Sequence, residues 1–371
     1  MRSARLLWIG GLSALFTGAA CGGTTVETTS SSGSTSGGST SVTSGSSGTT
    51  GSGGASSTSS ASTTGAGGAG GSASTTSTTS TASTTTGVTT GAGGAGGGSS
   101  MPMPVGCVTE VGAGHHKLMC LGGIAYDLEI PAACAAGGCG LVLDMHGFTM
   151  NADQEDLGTQ LRALGKQHGY VVVQPTAPGL PPSWDQAAHV PLVFAFISDV
   201  AQALVTDPSR AHVMGFSQGG GMTWRMVCSH ADFFASAAPL GALAGCEFVG
   251  AKVPSREVPI LQVHGRKDNV VNFGNTAIPQ RNAVLAHWGN PPGMVLEDDG
   301  AHKVTRYLSP AGTPLEFWEH DYEAGSFLLG GHCFPGGVDV GQSPFQFGCT
   351  AQNTFVYGAK AVEFFIAHPK N

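Results

Sequence analysis

One serine stands in the sequence pattern best suited to nucleophilic chemistry. The segment 210–222 reads RAHVMGFSQGGGM, a short apolar strand that runs into the pattern G-x-S-x-G around Ser217, and a helix-like segment continues to 230. A serine hydroxyl is a poor nucleophile unless a sharp turn lifts it clear of the sheet and a base takes its proton. Glycines two residues to either side let strand and helix approach closely. A Gly-Ser loop would also match the bare pattern, but the strand–turn–helix context favours a nucleophile elbow.

The carboxylate that would orient the base is expected after Ser217, because the chain order at such an elbow is serine, acid, histidine. Asp268 is the best placed, since it lies in a loop directly after a predicted strand at 259–264. Asp298 and Asp299 are rivals in a less defined region. An ordinary solvated loop carboxylate is the alternative interpretation of Asp268.

Five histidines follow Asp268, and one of them suits the role of general base. His332 lies on a glycine-rich loop, GGHCFPGG at 330–337, that can place an imidazole over Ser217. His302 is the runner-up. We expect His332 to take the Ser217 proton and deliver it to the leaving group, while Asp268 fixes the tautomer of His332 and stabilises its imidazolium form.

Two backbone N–H groups are needed to stabilise the oxyanion of an acyl-transfer reaction. One is that of Gln218, at the N-terminus of the helix after the serine, and the other is expected from Phe148, with Gly147 allowing the bend. His146 and Trp184 are candidates for the wall of the substrate pocket. His146 is interpreted as more structural than catalytic, and Trp184 is equally compatible with an ordinary buried tryptophan.

Strands and helices alternate along the chain downstream of residue 106. Strands are predicted at 125–130, 141–146, 170–174, 210–215, 234–239, 259–264 and 315–322, and helices at 153–168, 191–205, 222–230, 275–288 and 352–368. This alternation predicts an α/β fold, a mostly parallel, doubly wound sheet with helices on both faces. Ligands of such sheets bind at the carboxyl ends of the strands, where the candidate residues fall.

The N-terminus resembles a bacterial export signal over 1–20. Two arginines precede an apolar run at 6–16, which is too short to span a membrane in the mature protein. Gly18 and Ala20 suit ordinary signal peptidase. Ala20 followed by Cys21 also resembles a lipobox, in which an acylated Cys21 becomes the new N-terminus, although leucine usually stands where Gly18 does. We favour lipidation of Cys21, and this is the one membrane attachment we expect.

A Ser, Thr, Gly and Ala-rich linker is predicted at 21–106. A motif at 63–71, TTGAGGAGG, recurs at 89–97. Such a segment has almost nothing apolar to bury, so it cannot offset the entropy of ordering and should be a flexible tether. The predicted folded domain is therefore 107–371, a length that one α/β domain routinely fills.

Nine cysteines are present, and eight remain when Cys21 is set aside. An even number in an exported chain indicates disulfides rather than metal ligands, since no C-x-x-C pair occurs and the histidines are scattered. The connectivity is underdetermined from the sequence. The pairs we expect are Cys107–Cys120, Cys134–Cys139, Cys228–Cys246 and Cys333–Cys349.

The four motif blocks together resemble a family of secreted serine esterases. It holds polyhydroxybutyrate depolymerase-like proteins and the feruloyl and acetylxylan esterases of carbohydrate esterase family 1. The blocks are LDMHG at 143–147, DPSRAHVMGFSQGG at 207–220, VHGRKD at 263–268 and GGHCFPG at 330–336. Phe334 departs from the family, which usually has tryptophan there. The resemblance implies an α/β-hydrolase fold over nearly all of 107–371, and relatives often place a cysteine pair where Cys228 and Cys246 stand.

The resemblance implies an exported serine carboxylesterase that works through an acyl-enzyme, without metal or cofactor. Its substrates would be feruloyl or acetyl esters of plant polysaccharide or related small esters. A polyhydroxyalkanoate depolymerase is the alternative within that class. Two alternatives lie outside the esterases. One is an exopeptidase on the same scaffold, and the other is a surface-displayed binding protein with a degenerate hydrolase domain. The net charge is −8 with no basic stripe, so we expect no nucleic-acid partner. We also expect a monomer, located at the bacterial cell surface or outside the cell.

Overall fold

A computed structural model describes residues 101–250, 252–338, 346–350 and 353–371. The chain divides into two units, Met1–Thr89 and Thr90–Asn371, and the described residues belong to the second. The predicted export signal at 1–20, Cys21 and most of the predicted linker lie outside the described residues. Within the described part of the chain, no helix combines the length and apolar character needed to cross a membrane.

One sheet of ten strands organises the described unit. In chain order the strands are β1 Gly114–Met119, β2 Ala125–Ile130, β3 Gly140–Met145, β4 Tyr170–Thr176, β5 Ala211–Phe216, β6 Ser236–Leu240, β7 Ile260–Gly265, β8 Gly293–Asp298, β9 His302–Leu308 and β10 Pro314–His320. Their spatial order is β1-β2-β4-β3-β5-β6-β7-β10-β9-β8. The six strands from β4 to β10 in this order are parallel, and each edge carries two antiparallel strands.

Helices cover both faces of this sheet. They are α1 Ala152–Thr159, α2 Leu161–His168, α3 Gln186–Ala203, α4 Gln218–His230, α5 Ile278–His287 and α6 Tyr357–Ala367. Buried side chains of α3, α4 and α5 pack in one apolar cluster, and those of α2 and α6 pack in a second cluster on the opposite face. The predicted α/β architecture with helices on both faces is confirmed.

Burial along the strands explains why the sequence pattern is informative in the middle of the sheet and weak at its edges. Every residue of β3, β5, β6 and β7 is buried, as expected for parallel strands covered on both faces. By contrast β1 alternates between half-buried and exposed residues, and β8 is exposed throughout. The edge strands therefore lack the continuous apolar runs that mark the central ones.

The prediction of a single helix at 153–168 is wrong, because the structure has two helices there, α1 and α2. Gln160 lies between the two helices in the left-handed region with φ +56°, and its N–H bonds back to the Asp156 carbonyl. Asn151 caps α1, its side chain accepting a hydrogen bond from the N–H of Gln154 at 2.9 Å. The break lets α1 end tightly against α6, since a Cβ atom on Gly358 would overlap the carbonyl of Thr159.

Several other predicted boundaries also differ from the structure. Helix α3 begins five residues before the predicted start at 191, because the Asp185 side chain accepts hydrogen bonds from two N–H groups of its first turn. Helix α6 begins at Tyr357 rather than 352, and α5 begins at Ile278 but continues a π-helical turn, Phe273–Ala277, so that helical structure starts two residues before the predicted 275. Strand β1 and the hairpin of β8 and β9 are not among the predicted strands.

Four disulfides link the described cysteines, and they are the four pairs expected from the sequence. They join Cys107 to Cys120, Cys134 to Cys139, Cys228 to Cys246 and Cys333 to Cys349. The last of these closes a loop beside His332, so it bears directly on the candidate site.

Candidate active site

Ser217 occupies the sharp turn between β5 and α4. Its backbone has φ +54° and ψ −113°, a conformation that L-residues rarely adopt and that costs free energy wherever it is held. The turn is fixed by hydrogen bonds from the Ser217 N–H to the Leu240 carbonyl at 2.9 Å and from the N–H groups of Gly221 and Leu243 to the Ser217 carbonyl. Only 7% of Ser217 is exposed. These features are those of a nucleophile elbow.

The glycines of G-x-S-x-G are required by the contact between this turn and β3. A Cβ atom on Gly215 would lie 2.6 Å from the carbonyl oxygen of Met145, and one on Gly219 would overlap that oxygen. Real Cβ atoms do not approach carbonyl oxygens so closely. Strand β5 and helix α4 can therefore meet at Ser217 only because both positions lack a side chain.

Asp268 and His332 are hydrogen-bonded to each other. His332 Nδ1 lies 2.7 Å from Asp268 Oδ2, and both side chains are buried. Asp268 Oδ1 accepts hydrogen bonds from the N–H groups of Val270 at 2.8 Å and Val271 at 2.7 Å. Burial alone would raise the pKa of Asp268, but the charge of His332 and hydrogen bonds from His264 and His332 outweigh it and hold that pKa well below its usual range. The carboxylate is thus kept ionised.

His264, at the carboxyl end of β7, is a further partner of Asp268 that sequence reasoning missed. Its Nε2 lies 3.2 Å from Asp268 Oδ2 and 2.8 Å from the Val271 carbonyl oxygen. Its position four residues before Asp268, in the motif VHGRKD, was the available signal. Because that spacing falls across a turn and not along a helix, the sequence did not predict contact.

Glycines bring the loop of His332 against the turn of Asp268. Gly330 pairs with Asp268 in an isolated bridge, and the Gly331 N–H donates to the Lys267 carbonyl at 2.8 Å. A Cβ atom on Gly330 or on Gly265 would overlap a backbone oxygen of the opposite segment. The glycine-rich character of this loop therefore serves the close approach of acid and base.

The His332 ring lies beside the elbow. Its centroid is 4.5 Å from that of Phe216, the residue that precedes Ser217. Gly241 directly follows β6, and a Cβ atom there would lie 3.3 Å from the ring of His332 and 3.3 Å from that of Phe216. Ser217, Asp268 and His332 thus lie at one end of the sheet, beyond the carboxyl ends of β5, β7 and β10.

The loop after β3 lies against the other side of Ser217. A Cβ atom on Gly147 would lie 3.3 Å from the Ser217 Cβ. The N–H of Thr149 donates to the Pro182 carbonyl and that of Met150 donates to the Gly147 carbonyl. Within the described residues, the N–H of Phe148 has no backbone acceptor in this turn. The N–H of Gln218 is also free of an intrahelical acceptor, because it opens α4.

His146 and Trp184 are buried behind this loop. The Trp184 Nε1–H donates to the His146 carbonyl at 2.9 Å, and His146 Nε2 accepts from the Ala177 N–H at 2.9 Å. Burial lowers the pKa of His146 to about 4, so its ring is neutral at pH 7. His146 Nδ1 bonds the Gly147 carbonyl, so both ring nitrogens have backbone partners. These contacts fit the structural role expected for His146. A role for these two residues in the pocket wall stays a prediction.

Gln218 ties the elbow to the segment that carries Trp184. Its side-chain oxygen accepts from the Trp184 N–H at 2.8 Å, and its amide nitrogen donates to the Ser183 hydroxyl at 3.1 Å. The side chain of the residue that follows Ser217 therefore holds the start of α4 to the loop of Trp184.

The rival residues form a separate cluster on the outer hairpin. Asp299 Oδ2 lies 2.9 Å from His302 Nδ1, and Glu297 lies 3.1 Å from His302 Nε2. A backbone hydrogen bond from the His302 N–H is the main reason that the pKa of Asp299 falls to about 2. Strand β10 separates this hairpin from β7. Asp298 lies in the same hairpin. The structure therefore does not bring Asp298, Asp299 or His302 to Ser217.

Taken together, these groups can carry out acyl transfer. A serine in a strained turn, a histidine whose Nδ1 is bonded to an ionised carboxylate and two N–H groups at the same end of the sheet are the parts that this chemistry uses. Among the described residues, no three His, Cys, Asp or Glu side chains are grouped so as to hold a metal ion.

Known proteins of similar sequence are esterases. The chain is 30% identical over 135 residues to a bifunctional acetylxylan esterase/xylanase of Neocallimastix patriciarum, covering 36% of this chain and 20% of that protein. It is 31% identical over 143 residues to feruloyl esterase B of Piromyces equi, covering 36% and 27%. It is 31% identical over 172 residues to probable feruloyl esterase C of Aspergillus flavus, covering 44% and 59%. The chain thus spans between a fifth and three fifths of these relatives. No model of a known protein family matches it.

A solved structure of similar fold is the acetyl xylan esterase from Aspergillus awamori. The TM-score is 0.52 at 15% sequence identity, and the match covers 68% of this chain and 99% of that one. The fold is therefore the α/β-hydrolase fold, and the resemblance to feruloyl and acetylxylan esterases is confirmed.

Proposed function

We propose that this chain is a serine carboxylesterase that hydrolyses its substrate through an acyl-enzyme on Ser217. The observation that carries the proposal is the 2.7 Å contact between His332 Nδ1 and Asp268 Oδ2 beside a serine held at φ +54°. A hydrogen bond at Nδ1 leaves Nε2 as the ring nitrogen that can accept a proton, and the elbow presents the nucleophile to it.

In the first half-reaction, the Ser217 oxygen attacks the ester carbonyl carbon while His332 Nε2 takes its proton. The carbonyl oxygen becomes an oxyanion, for which the N–H groups of Gln218 and Phe148 are the proposed donors. Asp268 stays ionised and stabilises the imidazolium of His332 without taking the proton itself. When the tetrahedral intermediate collapses, the ester C–O bond breaks and the departing alcohol takes the proton from Nε2.

In the second half-reaction, water takes the place of the alcohol. His332 accepts a proton from the water as its oxygen attacks the acyl carbon, and the same two N–H groups hold the oxyanion. Collapse breaks the bond between the acyl carbon and the Ser217 oxygen, which recovers its proton from His332. The products are one carboxylic acid and the regenerated enzyme, so one water is consumed for each ester cleaved.

The proposed substrates are feruloyl or acetyl esters carried by plant polysaccharides, or small esters of the same acids. Support comes from relatives named feruloyl esterase and acetylxylan esterase, at 30–31% identity over the segments that match. A polyhydroxyalkanoate depolymerase would use the same chemistry on esters of a different acid, and hydrolysis of hydroxybutyrate oligomers distinguishes it from a feruloyl or acetyl esterase.

We further propose that the protein works outside the cytoplasm, as a monomer, with an acylated Cys21 as the anchor of a bacterial lipoprotein. Four disulfides support an oxidising compartment, where such bonds persist. The small residues that precede Cys21 support processing at that position.

The test is hydrolysis by the purified chain with its disulfides formed. Methyl ferulate, acetylated xylan oligomers, p-nitrophenyl butyrate and hydroxybutyrate oligomers are compared, with Ser217→Ala and Ser229→Ala as paired variants. Ser229 is an exposed residue of α4, and its hydroxyl donates to the Arg225 carbonyl in the preceding turn. We expect feruloyl or acetyl esters to be hydrolysed by the wild type and by Ser229→Ala, and Ser217→Ala to lose on the order of 10³-fold or more in kcat. Folded wild-type protein that is silent on every ester would refute the proposal.

A further inference from the structure

We propose that His264 is a positioning residue for the acid Asp268, holding the carboxylate oxygen that orients His332. This inference rests on the proposed function, because it assigns His264 a part in the same reaction. His264 touches neither the nucleophile nor the oxyanion donors, so its effect on the reaction passes through Asp268.

The contacts of His264 show that one particular ring nitrogen, Nε2, carries a proton. Its Nε2 is 2.8 Å from the carbonyl oxygen of Val271 and 3.2 Å from Asp268 Oδ2. A carbonyl oxygen can only accept, so Nε2 carries the proton. One N–H group is thus shared between the backbone that closes the turn and the carboxylate that the turn presents. His264 is 1% exposed, which keeps water from replacing it in either contact.

Asp268 Oδ2 is therefore contacted by two histidines. His332 Nδ1 reaches it at 2.7 Å and His264 Nε2 at 3.2 Å, while the N–H groups of Val270 and Val271 occupy Oδ1. The backbone contacts fix one end of the carboxylate, and His264 fixes the other. Without His264, His332 would be the one side chain that donates to Oδ2 among the described residues, and the carboxylate would be held less firmly in the orientation that His332 needs.

The charged and titratable groups that face His264 come from three segments. Asp268 lies in the turn after β7, His332 lies in the loop after β10, and His320 lies at the end of β10, while the guanidinium of Arg266 bonds Asp321. Burial lowers the pKa of His320 to about 3, so His320 adds no positive charge at pH 7. The groups that remain to compete for Asp268 are His264 and His332.

Removal of the His264 N–H should shift the pH dependence of the reaction rate. Asp268 would lose a donor that stabilises its negative charge, so the carboxylate would attract the imidazolium proton of His332 more strongly. The imidazolium form of His332 would then be more stable, and the acid limb of the pH–rate profile would move to higher pH. A residue that only filled space would not move this limb.

Three variants of the full chain test the proposal. His264→Phe keeps the ring volume without the N–H, His264→Gln keeps a donor near the position of Nε2, and His212→Gln is the matched control. His212 is equally buried in β5 but bonds to the Ser236 hydroxyl at 2.8 Å, away from Asp268. We expect His264→Phe to lower kcat by about 10- to 100-fold at unchanged KM and to move the acid limb upward by about one pH unit. His264→Gln should recover most of both effects, and His212→Gln should show neither.

Nuclear magnetic resonance supplies a readout that does not depend on esterase activity. In the wild type, the His264 Nε2 should be protonated. The low-field signal of the His332 Nδ1 proton, assigned by its loss in His332→Gln, should weaken in His264→Phe. An inactive wild type that shows these signals would refute the esterase proposal and leave the positioning role standing. A wild type with His264 protonated only at Nδ1, or a folded His264→Phe with unchanged kcat, pH profile and Nδ1 signal, would overturn the positioning role.

Discussion

Gly219 lies against the carbonyl of Met145 so closely that no other residue can replace it without displacing one of two elements. The contact joins the first turn of α4 to the end of β3, and it determines where Ser217 stands relative to the loop that follows β3. The backbone strain at Ser217 is thus held by packing on both of its sides.

Gly219→Ala should therefore damage both stability and activity. We expect unfolding to become easier by about 2 kcal/mol or more, since β3 or α4 must shift, and kcat/KM to fall by roughly 10²-fold as the serine moves. The control is Gly112→Ala, because a Cβ atom there meets nothing within 4 Å. Urea unfolding and ester hydrolysis measure the two effects. Wild-type kinetics in Gly219→Ala would show that the elbow tolerates a shift.

The disulfide Cys333–Cys349 should matter for activity beyond its contribution to stability. It begins one residue after His332, and two backbone hydrogen bonds between Phe334 and the segment 347–349 reinforce it. The disulfide Cys107–Cys120 closes a loop of similar length, 13 against 16 residues, away from this loop. Alanine replacement of either pair should cost about 2–4 kcal/mol of stability.

Only the Cys333→Ala/Cys349→Ala pair should also lower kcat, because it frees the loop that carries the base. Kinetics are compared with those of Cys107→Ala/Cys120→Ala at a temperature where both variants are folded. Equal kcat values in the two would mean that the backbone bonds alone hold His332 in place.

Trp184→Phe should slow the reaction by loosening the loop after β3. The change removes the Nε1–H that bonds the His146 carbonyl at 2.9 Å, one residue before Gly147. We expect kcat to fall by about tenfold, less than the loss of an oxyanion donor itself. Trp224→Phe is the control, because Trp224 is fully buried and its Nε1 has no hydrogen-bond partner within the described residues. A similar loss of kcat in both variants would indicate a packing effect only.

A buried pair of carboxyl groups makes stability depend on pH. Glu155 faces Asp144 inside the sheet–helix layer, and both side chains are fully buried. Burial, followed by the charge of Asp144, raises the pKa of Glu155 well above its usual value, and burial raises that of Asp144 to about 6. Neither oxygen of Glu155 has a donor within the described residues. A proton on Glu155, shared with Asp144, accounts for the pair.

The sign of the pH effect follows from these raised pKa values. The folded chain keeps a proton that the unfolded chain releases above its ordinary carboxyl pKa, so the free energy of unfolding falls as pH rises from there towards the folded pKa. Each pH unit within that window costs about 1.4 kcal/mol. Glu155→Gln supplies a permanent donor, and its stability should decline less between pH 5 and pH 8.

Urea unfolding at several pH values measures how the free energy of unfolding depends on pH. Glu363→Gln, at an exposed position, is the control and should behave as the wild type. Parallel pH profiles for the wild type and Glu155→Gln would show that the pair holds no extra proton.

The central strands and the order of the candidate residues could be predicted because their signals are local. Parallel strands buried on both faces appear as short apolar runs, and the glycines around Ser217 mark a turn that needs them. Asp268 and His332 each follow a strand in a glycine-containing motif, so the topology of the sheet brings them to one end.

Other features depend on contacts that no local pattern records. Strand β8 is exposed along its whole length and so carries no burial pattern. The left-handed residue at the break between α1 and α2 is Gln160, a residue type that does not mark a helix end in the sequence. Glu155 resembles a surface residue of an amphipathic helix, and the contact of His264 with Asp268 depends on the shape of one turn.

The central claim, that Ser217 is an activated nucleophile, is tested most directly by covalent labelling. The full chain is treated with a fluorophosphonate, which transfers its phosphonyl group to an activated serine with loss of fluoride, and the labelled peptide is identified by mass spectrometry. We predict one adduct, on the peptide that contains Ser217, absent in Ser217→Ala and reduced at least about 10²-fold in rate in His332→Ala. An unlabelled Ser217 in folded protein, or labelling that proceeds equally fast without His332, would contradict this account.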